Sequence, residues 1–364
     1  MLIGIDANEA NITRRVGVNY YAYNLLQALW QLKTSHKFII YLKKTPLPDL
    51  PPVRPDWTYR VIPFPKLWTQ TRLPVDLYLH HPRPDVIFSL THYAPRICPI
   101  PSVIAIMDLG FLLFPSQFTT KDINQLRSWT AYSVRQASAI IAISENTKRD
   151  IINFYGRKSE DIHVTYLAHD RKLFKPTKDI KVLEKYGIRQ PYILFLSSLK
   201  PSKNVEGLVK AFSQLKLPDY RLVIAGKKAW MYESIFELVR KLNLEDRVIF
   251  TDYVPAADNP VLMSMAEAFV LPSFYEGFAL PALEAMACGT PVVVSQVANL
   301  PEVVGDAVVY VDPNDSQSIA LGIKKAIKDN SRLSQLGLSQ SRKFTWTNTA
   351  KETLKVLESV KVVK

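Results

Sequence analysis

Short, continuous runs of Ile, Val and Leu alternate with longer helix-patterned stretches along almost the whole chain, and no other feature limits the fold so tightly. In the first half these runs are Leu2–Asp6, Phe38–Leu42, Val86–Phe88, Val103–Ile106 and Ala139–Ile143. In the second half they are Tyr192–Leu196, Leu222–Ala225, Val248–Phe250, Ala268–Leu271 and Pro291–Val294. Runs that are apolar throughout, and not at every second position, predict strands covered on both faces. Helical patterns such as Tyr20–Leu32 and Asn204–Leu215 lie between them. Strand, helix and strand repeated in this way predict an α/β fold of parallel sheets with helices on both sides.

The rhythm pauses over Arg171–Gln190, which reads as a linker, and a new strand opens at Tyr192. The expected division is into two doubly wound, Rossmann-like domains, at residues 1–172 and 190–340. The tail, residues 347–364, reads as one amphipathic helix with Ala350, Leu354, Leu357 and Val360 on a stripe, expected to pack back on the first domain. Thr349 and Glu352 stand at capping-box spacing near its start. Residues 46–84 are rich in proline and are expected to be irregular. In open sheets of this kind ligands bind beyond the carboxyl ends of the strands. Two such domains facing each other would therefore hold their chemistry in a cleft between them.

A chain of 364 residues, 48% hydrophobic, buries a core without covalent staples. Cys98 and Cys288 lie far apart, form no metal-ligand pattern and suit a reducing compartment. Met1–Asp6 reads as a strand and not as a leader, and no run approaches the ~18 apolar residues of a membrane span. A cytoplasmic protein is the expectation. The net charge of +13 sits mainly in the first half. Such a basic face could attract anionic lipid, nucleic acid or phosphorylated substrates, or serve solvation alone. Basic and aromatic residues do not interleave, so no nucleic-acid partner is expected.

The segment that carries chemistry follows the run ending at Leu271. It reads Pro272-Ser273-Phe274-Tyr275-Glu276-Gly277-Phe278-Ala279-Leu280-Pro281-Ala282-Leu283-Glu284-Ala285-Met286-Ala287-Cys288-Gly289-Thr290-Pro291. This is a strand, a tight loop and a helix. Pro281 suits the first helical position, and Gly289 with Pro291 marks the stop. Amides of Gly277, Phe278, Ala279 and Leu280 at the helix N-terminus would form an anion site for a diphosphate. Glu284, placed in the first helical turn, and Glu276, just before the loop, would bracket that site and accept hydrogen bonds from hydroxyls. Taken alone, a glutamate in that turn is also an ordinary helix-dipole partner.

The same segment resembles the retaining glycosyltransferases of family 4, which adopt the GT-B fold. Their signature is two glutamates separated by seven residues, and the pattern Glu-Gly-Phe-Gly-Leu-Pro…Glu-Ala-Met-Ala-Cys-Gly-Thr-Pro-Val is matched nearly throughout. Ala279 departs from it, standing where the family usually has glycine. Ser197-Ser198-Leu199-Lys200-Pro201-Ser202-Lys203-Asn204 is similar to the family's phosphate-binding loop. The resemblance implies that Lys203 brings a cation to the donor phosphates. Ser198 stands where many members carry a second, arginine, cation. Ala225-Gly226-Lys227-Lys228 resembles the family's Ala-Gly segment, with Gly226 allowing close ligand approach and Lys228 near the phosphates. Tyr253-Val254-Pro255 is similar to segments that touch the nucleotide base through backbone atoms, and core packing is an equal reading of Val254. The stretch Leu222–Trp230, with the glutamate signature, looks closest to polysaccharide mannosyltransferases.

In the first half, Arg15-Val16-Gly17-Val18-Asn19-Tyr20 resembles the family's glycine loop, with Gly17 facing the donor and Asn19 where relatives often have glycine. Ile106-Met107-Asp108-Leu109 stands where the family reads His-Asp-Leu. Met107 cannot carry a proton, while Asp108 remains and would face the cleft. His92, in Thr91-His92-Tyr93, matches a position that relatives fill with histidine and would lie on the acceptor side, or else serve as a loop histidine. No Asp-x-Asp pair occurs and the adjacent His80 and His81 cannot share a helical face, so no metal and no cofactor are expected.

The resemblance implies a metal-independent transfer of a sugar from a nucleotide-sugar, GDP-mannose or a UDP-sugar, to a glycan or lipid-linked acceptor. In the family's front-face mechanism the leaving phosphate takes the acceptor proton, so Met107 need not abolish turnover. A lipid-linked acceptor and the basic first half together imply peripheral contact with an anionic membrane at its inner face. The competing readings are a nucleotide-sugar-binding protein of weak or no turnover, a sugar-nucleotide isomerase and a nucleic-acid-modifying enzyme.

Overall fold

The computed structural model describes residues 1–117, 119–228, 231–297 and 299–360. Trp230 and the last four residues of the expected tail helix therefore lie outside the described residues. The chain divides into two compact units, residues 1–167 with the tail from Thr345, and Ala168–Phe344.

In the first unit the strands are β1 (Leu2–Asp6), β2 (Lys37–Leu42), β3 (Trp57–Val61), β4 (Val86–Ser89), β5 (Ser102–Ile106), β6 (Ala139–Ala142) and β7 (Ile162–Val164). They form one sheet in the order β3-β2-β1-β4-β5-β6-β7, with each named pairing parallel. Every residue of β4, β5 and β6 is buried, as strands covered on both faces require. The tail forms the helix Trp346–Ser359, which belongs to this unit and packs on the helix Val18–Gln31, with Tyr21 and Trp346 rings 6.3 Å apart.

The second unit contains β8 (Tyr192–Leu196), β9 (Arg221–Ala225), β10 (Val248–Asp252), β11 (Ala268–Leu271), β12 (Val292–Ser295) and β13 (Val309–Val311). Their order is β10-β9-β8-β11-β12-β13, again parallel in each pairing. In both sheets the strand order reverses once, beside the first strand of the unit. That reversal lies between β1 and β4 in one and between β8 and β11 in the other. Loops leaving the two strands at such a point diverge to opposite faces and leave a crevice where ligands bind.

Three expectations need correction. Residues 46–84 are not irregular: they contain β3, a π-helical turn Trp68–Arg72 and the helix Leu73–Leu79. Their prolines stand at helix starts and in loops, where a missing N–H costs little. The stretch Arg171–Gln190 is not a bare linker, because it holds the helix Ile180–Lys185, capped by Asp179. The tail helix is capped by Thr345, which accepts from the Asn348 amide, and not by Thr349, whose hydroxyl instead donates to the Tyr166 carbonyl at 2.6 Å.

Candidate active site

The two loops that flank the reversal in the second sheet are laced together. After β8 the chain turns through the short 3-10 helix Pro201–Lys203 to Asn204, whose backbone is left-handed (φ 54°, ψ 42°). The Asn204 amide nitrogen donates to the carbonyls of Pro272, at 3.0 Å, and Pro313, at 2.7 Å, while its oxygen caps the following helix at Gly207. The Phe274 amide donates to the Ser202 carbonyl at 2.9 Å. Lys203 is thus held over the loop that carries Glu276.

The two side chains meet. Lys203 Nζ lies 2.7 Å from both carboxylate oxygens of Glu276, and the Ser273 hydroxyl donates to Glu276 Oε1 at 2.7 Å. Glu276 is only 7% exposed. Ser273 is fully buried, and its own carbonyl accepts from the Ser295 hydroxyl. A carboxylate offers about four lone-pair sites, and Lys203 and Ser273 account for three of them. Ser273, unremarked in the sequence reading, is the residue that orients this acid; its signal was the Ser-x-x-Glu spacing. Ser273→Ala should lower stability by about 1.5–3 kcal/mol, the worth of a hydrogen bond to a charged group, measured by urea denaturation.

Beside this pair the chain enters the helix Leu280–Ala287. Its N-cap is Ala279, left-handed at φ 62°, ψ 45°, and 3% exposed. A left-handed L-residue costs about 1–2 kcal/mol. Against this, glycine there would raise unfolded-chain entropy by ~0.4–1 kcal/mol and lose a buried methyl worth ~0.8 kcal/mol. The terms cancel within about 1 kcal/mol, so alanine is tolerated where glycine is usual. Phe278 is buried edge-on against Phe344, with ring centroids 5.9 Å apart, and Leu280 is half-buried. The turn from Gly277 to Leu280 therefore offers backbone and not side chains to a ligand. The first N–H groups of any helix lack partners inside it, which makes this end an anion seat.

Glu284 is the fifth residue of that helix, in its second turn and not its first. Pro281 likewise stands one place later than expected. Burial of the Glu284 carboxyl, with the Asp170 carboxylate adding to it, pushes its pKa up to about 8. Asp170 is a second acid near this end of the unit that the sequence reading did not single out. The folded protein holds the Glu284 proton more tightly than an unfolded chain, whose value is near 4.5. Its contribution to stability is therefore greatest below that value and is lost as pH rises toward 8. In thermal melts across this window, Glu284→Gln should show a flatter decline than the parent protein.

Gly226, at the end of β9, has φ 143°, and a Cβ there would run into the Ser197 carbonyl oxygen. Its amide donates to the Asp252 carbonyl at 2.9 Å. Ser198 is half-buried in the loop between Ser197, which donates to the Ala225 carbonyl, and Leu199, which donates to the Lys227 carbonyl. Lys228 turns from this loop onto the rings of Phe236, at 5.2 Å, and Tyr232, at 5.9 Å. Phe236 in turn stacks on Phe250 at 4.2 Å. Val254 is 7% exposed and follows an irregularity in β10 at Asp252, which bends the strand end.

The first unit collects its own group of residues beyond β1, β4 and β5. Gly17 (φ 44°, ψ −109°) is the N-cap of Val18–Gln31, with open space where a Cβ would stand. Asn19 is buried and donates to the Glu9 carboxylate at 2.7 Å. His92 Nε2 accepts from the Met107 amide at 3.3 Å, which places the ring proton on Nδ1. Burial holds this imidazole below its ordinary pKa, with Asp108 pulling the other way. His92 therefore fastens the Met107 loop as a neutral ring. Asp108 is half-buried and accepts from the Gly110 amide at 2.9 Å. Met107 itself is 9% exposed. Among the described residues no cluster of three His, Cys, Asp or Glu side chains is arranged to hold a metal, and no helix is long and apolar enough to cross a membrane.

Residues 16–172 match the model of Glycosyltransferase Family 4, and residues 177–342 that of Glycosyl transferases group 1. The O-antigen chain mannosyltransferase B of Escherichia coli is 33% identical over 276 residues, covering 73% of this chain and 71% of that one. Among solved structures, sucrose-phosphate synthase of Thermosynechococcus elongatus superposes with a TM-score of 0.77 at 21% identity, covering 98% of both chains. HepE of Anabaena, solved with UDP and glucose, superposes with a TM-score of 0.75 at 21% identity, covering 98% of this chain and 99% of that one. The chain belongs to the family 4, group 1 glycosyltransferases, and is a sugar-transferring enzyme with the two Rossmann-like domains of the GT-B fold.

Proposed function

We propose that the protein moves a hexose, with retention of configuration and without a metal, from a nucleotide-sugar to a glycan or lipid-linked acceptor. The observation that carries this reading is the buried Lys203–Glu276 pair at the strand-order reversal of the second sheet, beside the N-terminus of Leu280–Ala287. A diphosphate seated on the amides of that turn draws on the Lys203 charge, and Glu276 accepts from a hydroxyl of the sugar. As the bond to the anomeric carbon breaks, negative charge grows on the leaving diphosphate, and the Lys203 ammonium and the amides of the turn stabilise it. The acceptor hydroxyl attacks from the same side and gives its proton to the leaving phosphate, so the buried Met107 withholds no essential base. Absence of an Asp-x-Asp pair supports the metal-independent form. Ribose hydroxyls reach Glu284, and the base lies toward Gly226 and Val254. The Lys228 ammonium, resting on Phe236, adds positive potential at the rim.

GDP-mannose is the preferred donor on the likeness to the Escherichia coli mannosyltransferase, and UDP-glucose is next, because HepE was solved with UDP and glucose and also with UDP-glucose. A thermal-shift screen of GDP- and UDP-sugars tests this. A true donor at ~100 times its Kd adds roughly 2.7 kcal/mol of stability. Product analysis by NMR then reads the anomeric configuration, and an inverted product refutes the front-face mechanism. Glu284→Ala should weaken binding of the intact donor, whereas Glu276→Ala should mainly lower turnover. Met107 favours one second reading, a donor-binding protein of weak turnover. Nucleotide release measured with and without acceptors separates the two.

A further inference from the structure

The helical run Trp68–Leu79 buries apolar residues on one side and leaves others exposed. Its inner side places Trp68, Leu73 and Leu77 in a core cluster with Tyr41, Ile62 and Ile87. A helix that buries one side normally presents a polar one to water. Here the outer side carries Val75, Tyr78 and Leu79, with Leu79 70% exposed. The preceding loop continues the patch with Phe64 and Leu67, the latter 54% exposed. Exposed apolar side chains concentrated in one short segment mark an interaction site.

Cations stand along it. Lys66 and Arg72 flank the patch, and Arg83 stands over the Tyr78 ring at 6.0 Å. The acids of residues 53–90 are all committed elsewhere. Asp56 pairs with Arg54 at 2.8 Å, fully buried Asp76 with Arg60 at 2.6 Å, and Asp85 accepts from the Leu2 amide at 2.8 Å. An apolar stripe flanked by cations, with the acids of its own segment already paired, complements the headgroup layer of a bilayer that carries anionic lipid.

We propose that residues 64–79 dock the protein on an anionic membrane surface, Phe64, Leu67, Val75 and Leu79 entering the interface and Lys66 and Arg72 meeting headgroup phosphates. This deepens the lipid-linked-acceptor reading above by naming the surface that would bring the enzyme to such a substrate. The stripe is distinct from the donor residues in the sequence and belongs to the other unit.

Cosedimentation of the full chain with vesicles of phosphatidylglycerol and phosphatidylcholine tests it. Binding should be strong at low salt, fall on raising salt, and be weak on phosphatidylcholine alone. Leu67→Glu/Leu79→Glu should lose at least about tenfold in vesicle affinity while keeping the melting temperature and the donor-induced thermal shift. Lys66→Gln/Arg72→Gln, which leaves the apolar groups in place, should lose affinity mainly at low salt. Vesicle binding equal to the parent in both variants overturns the proposal, as does failure of the parent to bind anionic vesicles. A stripe that instead pairs two copies, with sedimentation showing a dimer that the glutamates dissociate and vesicle binding unchanged, overturns it too. The donor-induced shift reads the transferase assignment separately, so loss of one leaves the other standing.

Discussion

Lys203→Ala should lower turnover by about a hundred- to a thousandfold, the usual cost of removing one group that stabilises transition-state charge. The same change leaves the Glu276 carboxylate buried with only Ser273 as partner. Breaking a buried pair by deleting one member costs about 3–5 kcal/mol, so the variant should also unfold at lower temperature. The two effects separate in the double variant Lys203→Ala/Glu276→Ala. Removing both charges should recover much of the stability and none of the turnover. Steady-state kinetics beside thermal denaturation reads this directly, and a turnover within threefold of the parent would show that Lys203 is only structural.

Gly226→Ala should be the most damaging single methyl in the second unit. The clash is with the Ser197 carbonyl, a backbone atom at the root of the Lys203 loop, and φ at this position is 143°. Neither can relax by rotating a side chain. A cost of about 4 kcal/mol is expected, a fall in melting temperature of roughly 10 °C, with donor binding weakened because the Ser197–Lys203 loop must shift. Circular-dichroism melts and donor titration check both parts.

How much of this was legible beforehand depended on what each residue's role leaves in the sequence. The long, fully apolar strands were readable because burial on both faces writes itself as continuous Val, Ile and Leu. Three-residue β7 and β13 were not, since so short a run looks like any core segment, and β3 was hidden among prolines. The Glu276–Glu284 spacing was visible at once. The partnership of Lys203 with Glu276 was not, because the two lie far apart in the chain and only the strand order brings their loops together. Asp170, which helps raise the Glu284 pKa, gave no periodic or motif signal at all. His92 was recognised as a position, but its role as acceptor for the Met107 amide needed coordinates.

Amide hydrogen exchange with and without donor goes straight to the seat of the chemistry. At saturating GDP-mannose or UDP-sugar, amides of residues 277–280 and the loop 198–204 should exchange more slowly than in the free protein, and Lys203→Ala should erase that protection. Saturable donor binding that leaves residues 277–280 exchanging as before would mean the diphosphate sits elsewhere, and the assignment would fall.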